Sequence, residues 1–459
     1  MTTALRGRPG SADEPASPAR RPLRLRGDLI AVAVAALLVT ASSVVGWSLI
    51  EAGVPVLVGW PPLLASWLPH VGPGTVPAVL VALLVALGGP AVARRLRWGP
   101  LLAVAYAASL AWTFALATID GWYVGVAERL ATPSEYLAEI PRTPDIAVFL
   151  QTFADRIAGQ TSDSLVTHSA GHPPAATLVY VLLDRLGFPG GEYAGVLTAA
   201  VGASAVVAVG VTLAALADRD LARFYLPFGV LFPGAVWVGV SADGMFAAVL
   251  AWGVALLALG AVRRGVGGAV LCLLAGVVLG LSLFLSYGLV LAGLLPVAVA
   301  LVTRRVVPLL VGGVGAGLVV AGFAVAGFWW YEGYEQVTIR YYEPSEYGLL
   351  RPYGYWWWAN LAAVVLVLGP AVVAGLRRAV WRPRAVPLAL LALAAAGCIA
   401  ILVADVSGLS KSEVERIWLP FALWIVPLAA LLPRPAARWW LLAQAALALA
   451  VNHLLLTVW

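Results

Sequence analysis

What most constrains this chain is the recurrence of apolar runs almost free of charge, the first at 29–50, each roughly 17–25 residues long and set apart by short polar or arginine-bearing breaks. A hydrocarbon core about 30 Å thick is crossed by about 20 helical residues, so each run is long enough to span it. No water is available there to bond an open backbone, and the runs must therefore be helical. With 62% of its 459 residues hydrophobic and 11% charged, the chain has too little polar surface to clothe a soluble fold. These features predict an all-α polytopic membrane protein of about thirteen transmembrane helices.

Residues 1–27 carry Pro, Gly, Ser, Ala and six arginines and lack the apolar content to order themselves. They predict a disordered cytoplasmic tail ahead of a single transmembrane domain over 28–459. The run 29–50 exceeds a signal-peptide core and no small-residue cleavage site follows it, so it reads as a span. Arginines cluster at Arg20, Arg21, Arg24 and Arg26, at Arg94, Arg95 and Arg97, at Arg263 and Arg264, at Arg304 and Arg305, at Arg377, Arg378, Arg382 and Arg384, and at Arg434 and Arg438. Positive loops stay cytoplasmic, which orients a multi-pass plasma-membrane protein with its N-terminus inside. The same placement at helix ends accounts for the net charge of +6 and argues against nucleic acid as a partner. Cys272 and Cys398 sit in separate apolar runs and support neither a disulfide framework nor a metal cluster.

Alternation then puts the segments 119–172, 241–244, 286–288, 331–358 and 405–416 on the outer side, provided that the short segment "HPPAATLVYVLLDRLGF" enters without an ordinary crossing. The first large outer loop, of roughly 53 residues, is far longer than a connection requires. Within it Ile146, Phe149, Leu150, Phe153 and Ile157 recur at helical spacing, which predicts amphipathic helices at the membrane interface. The loops 119–172, 331–358 and 405–416 are expected to form the active-site side.

Fifteen of the 23 acidic residues fall in these outer segments, Glu346 among them, and hydration alone explains most of that bias. Asp120 in "ATIDGWY" and Asp243 in "VSADGMF" differ, because each abuts hydrocarbon, where a carboxylate is costly and tends to have a partner or a task. A partly desolvated aspartate is also a better base; the structural alternative for Asp120 is a helix end satisfied by the Gly121 or Trp122 amide. In "SGLSKSEVERIWLPF", Glu413 and Glu415 suit a helix start capped by Ser410 or Ser412. Arg416 sits at the wrong end for the helix dipole, and either pairs with Glu413 or grips a phosphate. The stretch around Arg340 and Arg351 interleaves glutamates with Tyr and Trp, as an aromatic belt over Trp329, Trp330 and 356–358 or as a surface on which sugars stack.

In "THSAGHPPA", His168 and His172 have the i, i+4 spacing of a helical metal pair, yet Pro173 disfavours helix at His172. Pro173 and Pro174 suit the first turn of a helix, with His172 at its cap beside amides able to hold an anion.

An aspartate after an early span, a long outer loop with amphipathic helices, and His-Pro-Pro leading into an apolar helix together resemble the glycosyltransferase C superfamily of membrane-embedded glycosyltransferases. "SEVERIWLPF" is similar to a stretch in uncharacterised actinobacterial members. The resemblance implies sugar transfer from a polyprenyl-phosphate donor to a glycan, lipid or protein acceptor of the cell envelope, with inversion. It implies Asp120 as the base, His172 as an organising catalytic group, Arg416 or another outer arginine on the donor phosphate, and Asp243 as a polar partner. His168, Arg340, Arg351, Glu413 and Glu415 complete the expected substrate-binding set. No cofactor is expected with certainty and a divalent metal stays open, because metal use varies in the superfamily. Here the acid follows the third span rather than the first and is not paired, which leaves Asp145, Asp155 and Asp163 as substitutes. The competing expectations are a transporter or flippase, which would place charges or broken helices mid-span, and a membrane scaffold indifferent to loss of Asp120 and His172.

Overall fold

Arginine clusters and acidic segments sort to opposite ends of a helix bundle in the computed structural model, which describes residues 25–159, 161–343 and 347–459. Of the expected tail over 1–27, residues 1–24, with Arg20, Arg21 and Arg24, lie outside the described residues, as does the loop residue Glu346, whereas Arg26 and Gly27 already belong to the first helix. Nine helices among those described are long and apolar enough to cross a membrane. They are α1 (Arg26–Glu51), α2 (Thr75–Arg95), α3 (Trp98–Asp120), α4 (Gly191–Leu216), α5 (Ala242–Val262), α6 (Val266–Leu283), α7 (Val307–Val325), α8 (Tyr353–Trp381) and α9 (Leu388–Ser407). A tenth follows if Leu419–Leu431 and Arg434–Leu454, bent by 111° at their break, count as one span. The chain is thus an all-α polytopic membrane protein, with one short strand pair added.

The remaining apolar segments are broken. Residues 219–238 divide at Pro233 and Gly234, Tyr287–Thr303 opens with a 3-10 stretch, and Pro427 and Pro433 interrupt the last pair. Hydropathy reports apolarity but not continuity, and proline removes the N–H that continuity needs. The helix Pro174–Arg185 has 12 residues, about 18 Å at the usual rise, and cannot cross an apolar core of about 30 Å. Arg185 ends it by donating to the Thr143 and Pro144 carbonyls, so it lies beneath the first large loop.

Helix α5 is the centre of the bundle, 72% of its apolar window being buried, against 11% for α1, whose faces are left to lipid. Small residues bring helices together where no hydrophobic gain separates protein from lipid. A methyl group at Gly276 of α6 would run into the Gly312 carbonyl of α7. At the arginine end, Arg223 donates to the Ala93 and Leu96 carbonyls at the end of α2, and Arg305 to the Ala261 and Arg263 carbonyls at the end of α5. These arginines satisfy the orphan carbonyls of helix C-termini as well as orienting the chain.

Helix α8 kinks at Gly369–Pro370, where Gly369 has φ 75°. The buried Gln444 repairs the broken ladder: its Nε2 donates to the Leu368 carbonyl and its Oε1 accepts from the Ala371 amide. A Gln444→Leu protein is expected to lose about 1–3 kcal/mol for each backbone group stranded in the apolar interior. Thermal unfolding in detergent measures this, and an unchanged midpoint would show that the kink needs no side-chain partner.

The five apolar loop residues point inward rather than to lipid. Phe149, Leu150, Phe153 and Ile157 are buried in the protein and Ile146 packs against the same core. Their helix, Ile146–Thr152, is capped by Asp145, whose Oδ1 accepts from the Ala147 and Val148 amides at 2.7 and 3.2 Å. Buried Glu139 ties the loop together by accepting from Arg142 at 2.9 Å and Arg156 at 2.6 Å. Trp329 and Trp357 are exposed as belt residues are, but Trp356 is fully buried beside Val56.

Candidate functional site

At the end opposite the arginines, four parts of the chain far apart in sequence meet around Arg416. Asp243, in the first turn of α5 and 2% exposed, accepts from Arg416 Nη1 at 2.6 Å. Glu413 accepts from Nη2 at 2.8 Å, and His168 Nε2 lies 3.1 Å from the same nitrogen. The Trp459 ring covers the guanidinium face at 3.9 Å. Burial works against the Arg416 charge, but Asp243, Glu413 and Glu135 more than offset it and hold the group more firmly cationic than usual.

The backbone that presents these groups is itself unusual. Ser412 and Glu413 both have positive φ, 74° and 62°, a conformation costing a non-glycine residue on the order of 1 kcal/mol or more. It is held by Asn360 of α8, which bonds Asp405, the Ser410 carbonyl and the Ser412 amide. The result points Glu413 between two arginines, with Arg351 at 3.2 Å, and the two guanidiniums hold its carboxyl below the usual range despite burial. The expected capping box does not form: Glu413, not a serine, precedes the four-residue helix Val414–Ile417 and makes no cap bond. Buried Glu415 accepts from the Leu64 amide at 3.3 Å, and burial pushes its carboxyl up to about 7.

The two histidines do not converge on one point. Arginine can only donate, so His168 Nε2 is the accepting nitrogen and Nδ1–H donates to the Ser134 carbonyl at 3.0 Å. Burial, with Arg416 alongside, drives the His168 imidazole down to about 3, which keeps this tautomer neutral. His172 ends the helix Thr167–Gly171 and directs Nδ1–H to the His168 carbonyl at 2.9 Å. Pro173, not His172, occupies the cap of Pro174–Arg185. The His172 ring instead lies between Tyr136 and Phe246, its Nε2 lone pair 4.0 Å from Asp243 Oδ1. Burial lowers its pKa as well, which favours the neutral ring. Among the described residues no group of three or more His, Cys, Asp or Glu is placed to hold a metal.

Leu130, Glu135, Tyr136, His168, Asp243, Arg416 and Trp459 line a cavity of about 10 Å³, room for about one water. Three buried polar atoms around it, Glu135 Oε2, Arg416 Nε and Trp459 Nε1, have no hydrogen-bond partner among the described residues. Such orphans at one point call for an explanation, and a ligand-binding state supplies one.

Asp120 belongs to a neighbouring cluster. His70 Nε2 lies 2.7 Å from its Oδ1, and Arg129 pairs with Oδ2 and donates to the Thr457 carbonyl. Nδ1 of His70 also faces the Leu68 carbonyl, at 2.6 Å. The strand β2 (Leu455–Thr457) pairs antiparallel with β1 (Ala65–Trp67), and this ladder carries Trp459 onto Arg416. Arg340 donates to the Ile157 and Leu165 carbonyls, while Arg351 joins the cluster through Glu413 and also bonds the Lys411 carbonyl.

Sequence reading passed over Glu135, Tyr136, His70, Arg129 and Trp459. The scarcity of histidine was the available signal: all four gather at this end, His453 donating to the His70 carbonyl. Burial pushes the Glu135 carboxyl up to about 8, with Arg416 opposing and Asp243 reinforcing the shift. A raised carboxyl pKa means that its contribution to stability is full below the unfolded value, about 4.3, and is lost as pH rises through about 8. Wild-type protein should therefore lose stability relative to Glu135→Gln across that window. Unfolding midpoints that run parallel from pH 5 to 9 would contradict a buried, protonated Glu135.

Fold and site together define an integral membrane protein with a buried ionic cluster gathered at one end of its helix bundle. No protein-family model matches the chain, and no curated protein matches it.

Proposed function

We propose that this protein is a membrane glycosyltransferase that moves a sugar from a polyprenyl-phosphate donor to a cell-envelope acceptor at the outer face of the plasma membrane. One observation carries the reading: a small cavity presents a guanidinium, a carboxylate and a carboxylic acid, and the His172 imidazole lies 4.0 Å from that carboxylate. Transfer from a phosphate donor needs a cation for the leaving group and a base for the acceptor hydroxyl. Arg416 holds the phosphate through its unpartnered Nε. Asp243 and His172, whose facing atoms leave a gap of 4.0 Å, receive the hydroxyl between them and take its proton as the oxygen attacks the anomeric carbon and the carbon–phosphate oxygen bond breaks. The base role that the resemblance implies for Asp120 passes to this pair, because both Asp120 oxygens are already engaged, one by His70 and the other by Arg129.

The topology proposed with it has thirteen crossings: the nine long helices, the segments 219–238 and 287–303, and the two limbs of the bent pair. The arginine end is then cytoplasmic and the cluster extracytoplasmic.

The test is turnover of labelled polyprenyl-phosphate hexoses and pentoses by purified protein reconstituted in vesicles. Asp243→Asn and His172→Ala are each expected to lower release of polyprenyl phosphate by about 10²–10⁴. Near-native turnover in both variants would sink the assignment.

A further inference from the structure

At the opposite end a cavity of about 660 Å³ lies between the start of α1 and the end of α8. Arg26, Arg377, Arg378 and Arg382 line it, with Leu25, Trp381, Val386 and Leu431 as apolar wall. Behind them sits Asp28, fully buried, which takes Arg377 at 3.1 Å and Arg378 at 2.6 Å. Arg378 also donates to the Leu431 carbonyl, and the Arg377 guanidinium rests on Gly27, where any Cβ would collide with it. Two of the four cations are thus fixed in place by one carboxylate. Arg26 and Arg382 have no ion pair among the described residues, and three positive charges are left over at the cavity.

We propose that this cavity binds the phosphate headgroup of an anionic phospholipid. Guanidiniums recognise phosphate oxygens in a forked geometry, and fixed ones lose little freedom on binding. The cavity opens at the ends of two membrane-crossing helices, at headgroup depth. Its flank runs directly into lipid-facing apolar surface: Leu29, Val380 and Trp381 are exposed beside it. A soluble phosphate needs no such flank, whereas a phospholipid lays its chains along it. Basic pockets between transmembrane helices bind lipid headgroups in this way.

Delipidated full-length protein in uncharged detergent tests the proposal, with lipid adducts counted by native mass spectrometry and unfolding midpoints measured alongside. Phosphatidylglycerol is expected to bind and raise the midpoint, and phosphatidylcholine or millimolar inorganic phosphate to do neither. Arg26→Gln with Arg382→Gln leaves the Asp28 pairs intact and is expected to weaken phosphatidylglycerol binding about tenfold or more. Arg94→Gln with Arg264→Gln removes the same charge from exposed positions at this end but away from the cavity, and should leave binding unchanged. Equal weakening in both pairs, no weakening in the first, or equal stabilisation by inorganic phosphate would each overturn the site.

Discussion

An Arg416→Ala protein is expected to be less stable than wild type by about 3–5 kcal/mol, the cost of removing one partner from a buried ion pair. The expectation rests on what stays behind. Buried Asp243 and half-buried Glu413 would remain as carboxylates with their nearest cation gone, and Glu413 would keep Arg351. His168 Nε2 would lose its donor, and Trp459 would lie over an empty space. Arg416→Lys separates charge from geometry, because a single ammonium cannot reach Asp243, Glu413 and His168 together while presenting a face to Trp459. It should recover part of the stability and little of the turnover. Unfolding in detergent, followed with sugar transfer in the same preparations, measures both. An alanine variant as stable as wild type would show that the cluster tolerates the loss of its centre, and the site would then need another anchor.

How far the sequence reached depends on what each signal measures. Helix identity, the sorting of arginines and acids, and the proline elbow at 173–174 follow from local chemistry, and all are visible in the fold. Asp243, His168, His172, Glu413 and Arg416 stood out because polar groups next to long apolar runs are conspicuous; Asp243, His168 and Glu413 meet at Arg416, and His172 lies 4.0 Å from Asp243. Which of them meet could not be read locally, since Asp243 and Arg416 are 173 positions apart. Arg340 had the same sequence character as Arg416, yet it serves loop carbonyls. Composition likewise could not distinguish a belt tryptophan from the buried Trp356, nor lipid-facing from core-facing apolar residues in the first loop. Trp459 was illegible for a different reason: its role depends on the β1–β2 register, which two three-residue strands do not advertise.

Asp120→Asn gives the second large effect, and its two parts separate a catalytic aspartate from a latch. Asp120 is joined to His70 on one oxygen and Arg129 on the other, and Arg129 in turn grips the carbonyl of Thr457 in β2. Burial already lowers the Arg129 pKa, with Asp120 the main force opposing that shift. Neutralising Asp120 therefore leaves a buried guanidinium without its carboxylate, at a cost of about 3 kcal/mol, the lower end for such losses because asparagine still offers an acceptor. Strand β2 then loses its tether, so amide exchange over 455–459 should accelerate more than in the helices. Turnover per folded molecule should stay within a few-fold of wild type if Asp243 and His172 handle the proton. Normal stability and slow exchange at 455–459, combined with turnover lowered about 100-fold or more, would be the reverse pattern, and would return the base to Asp120.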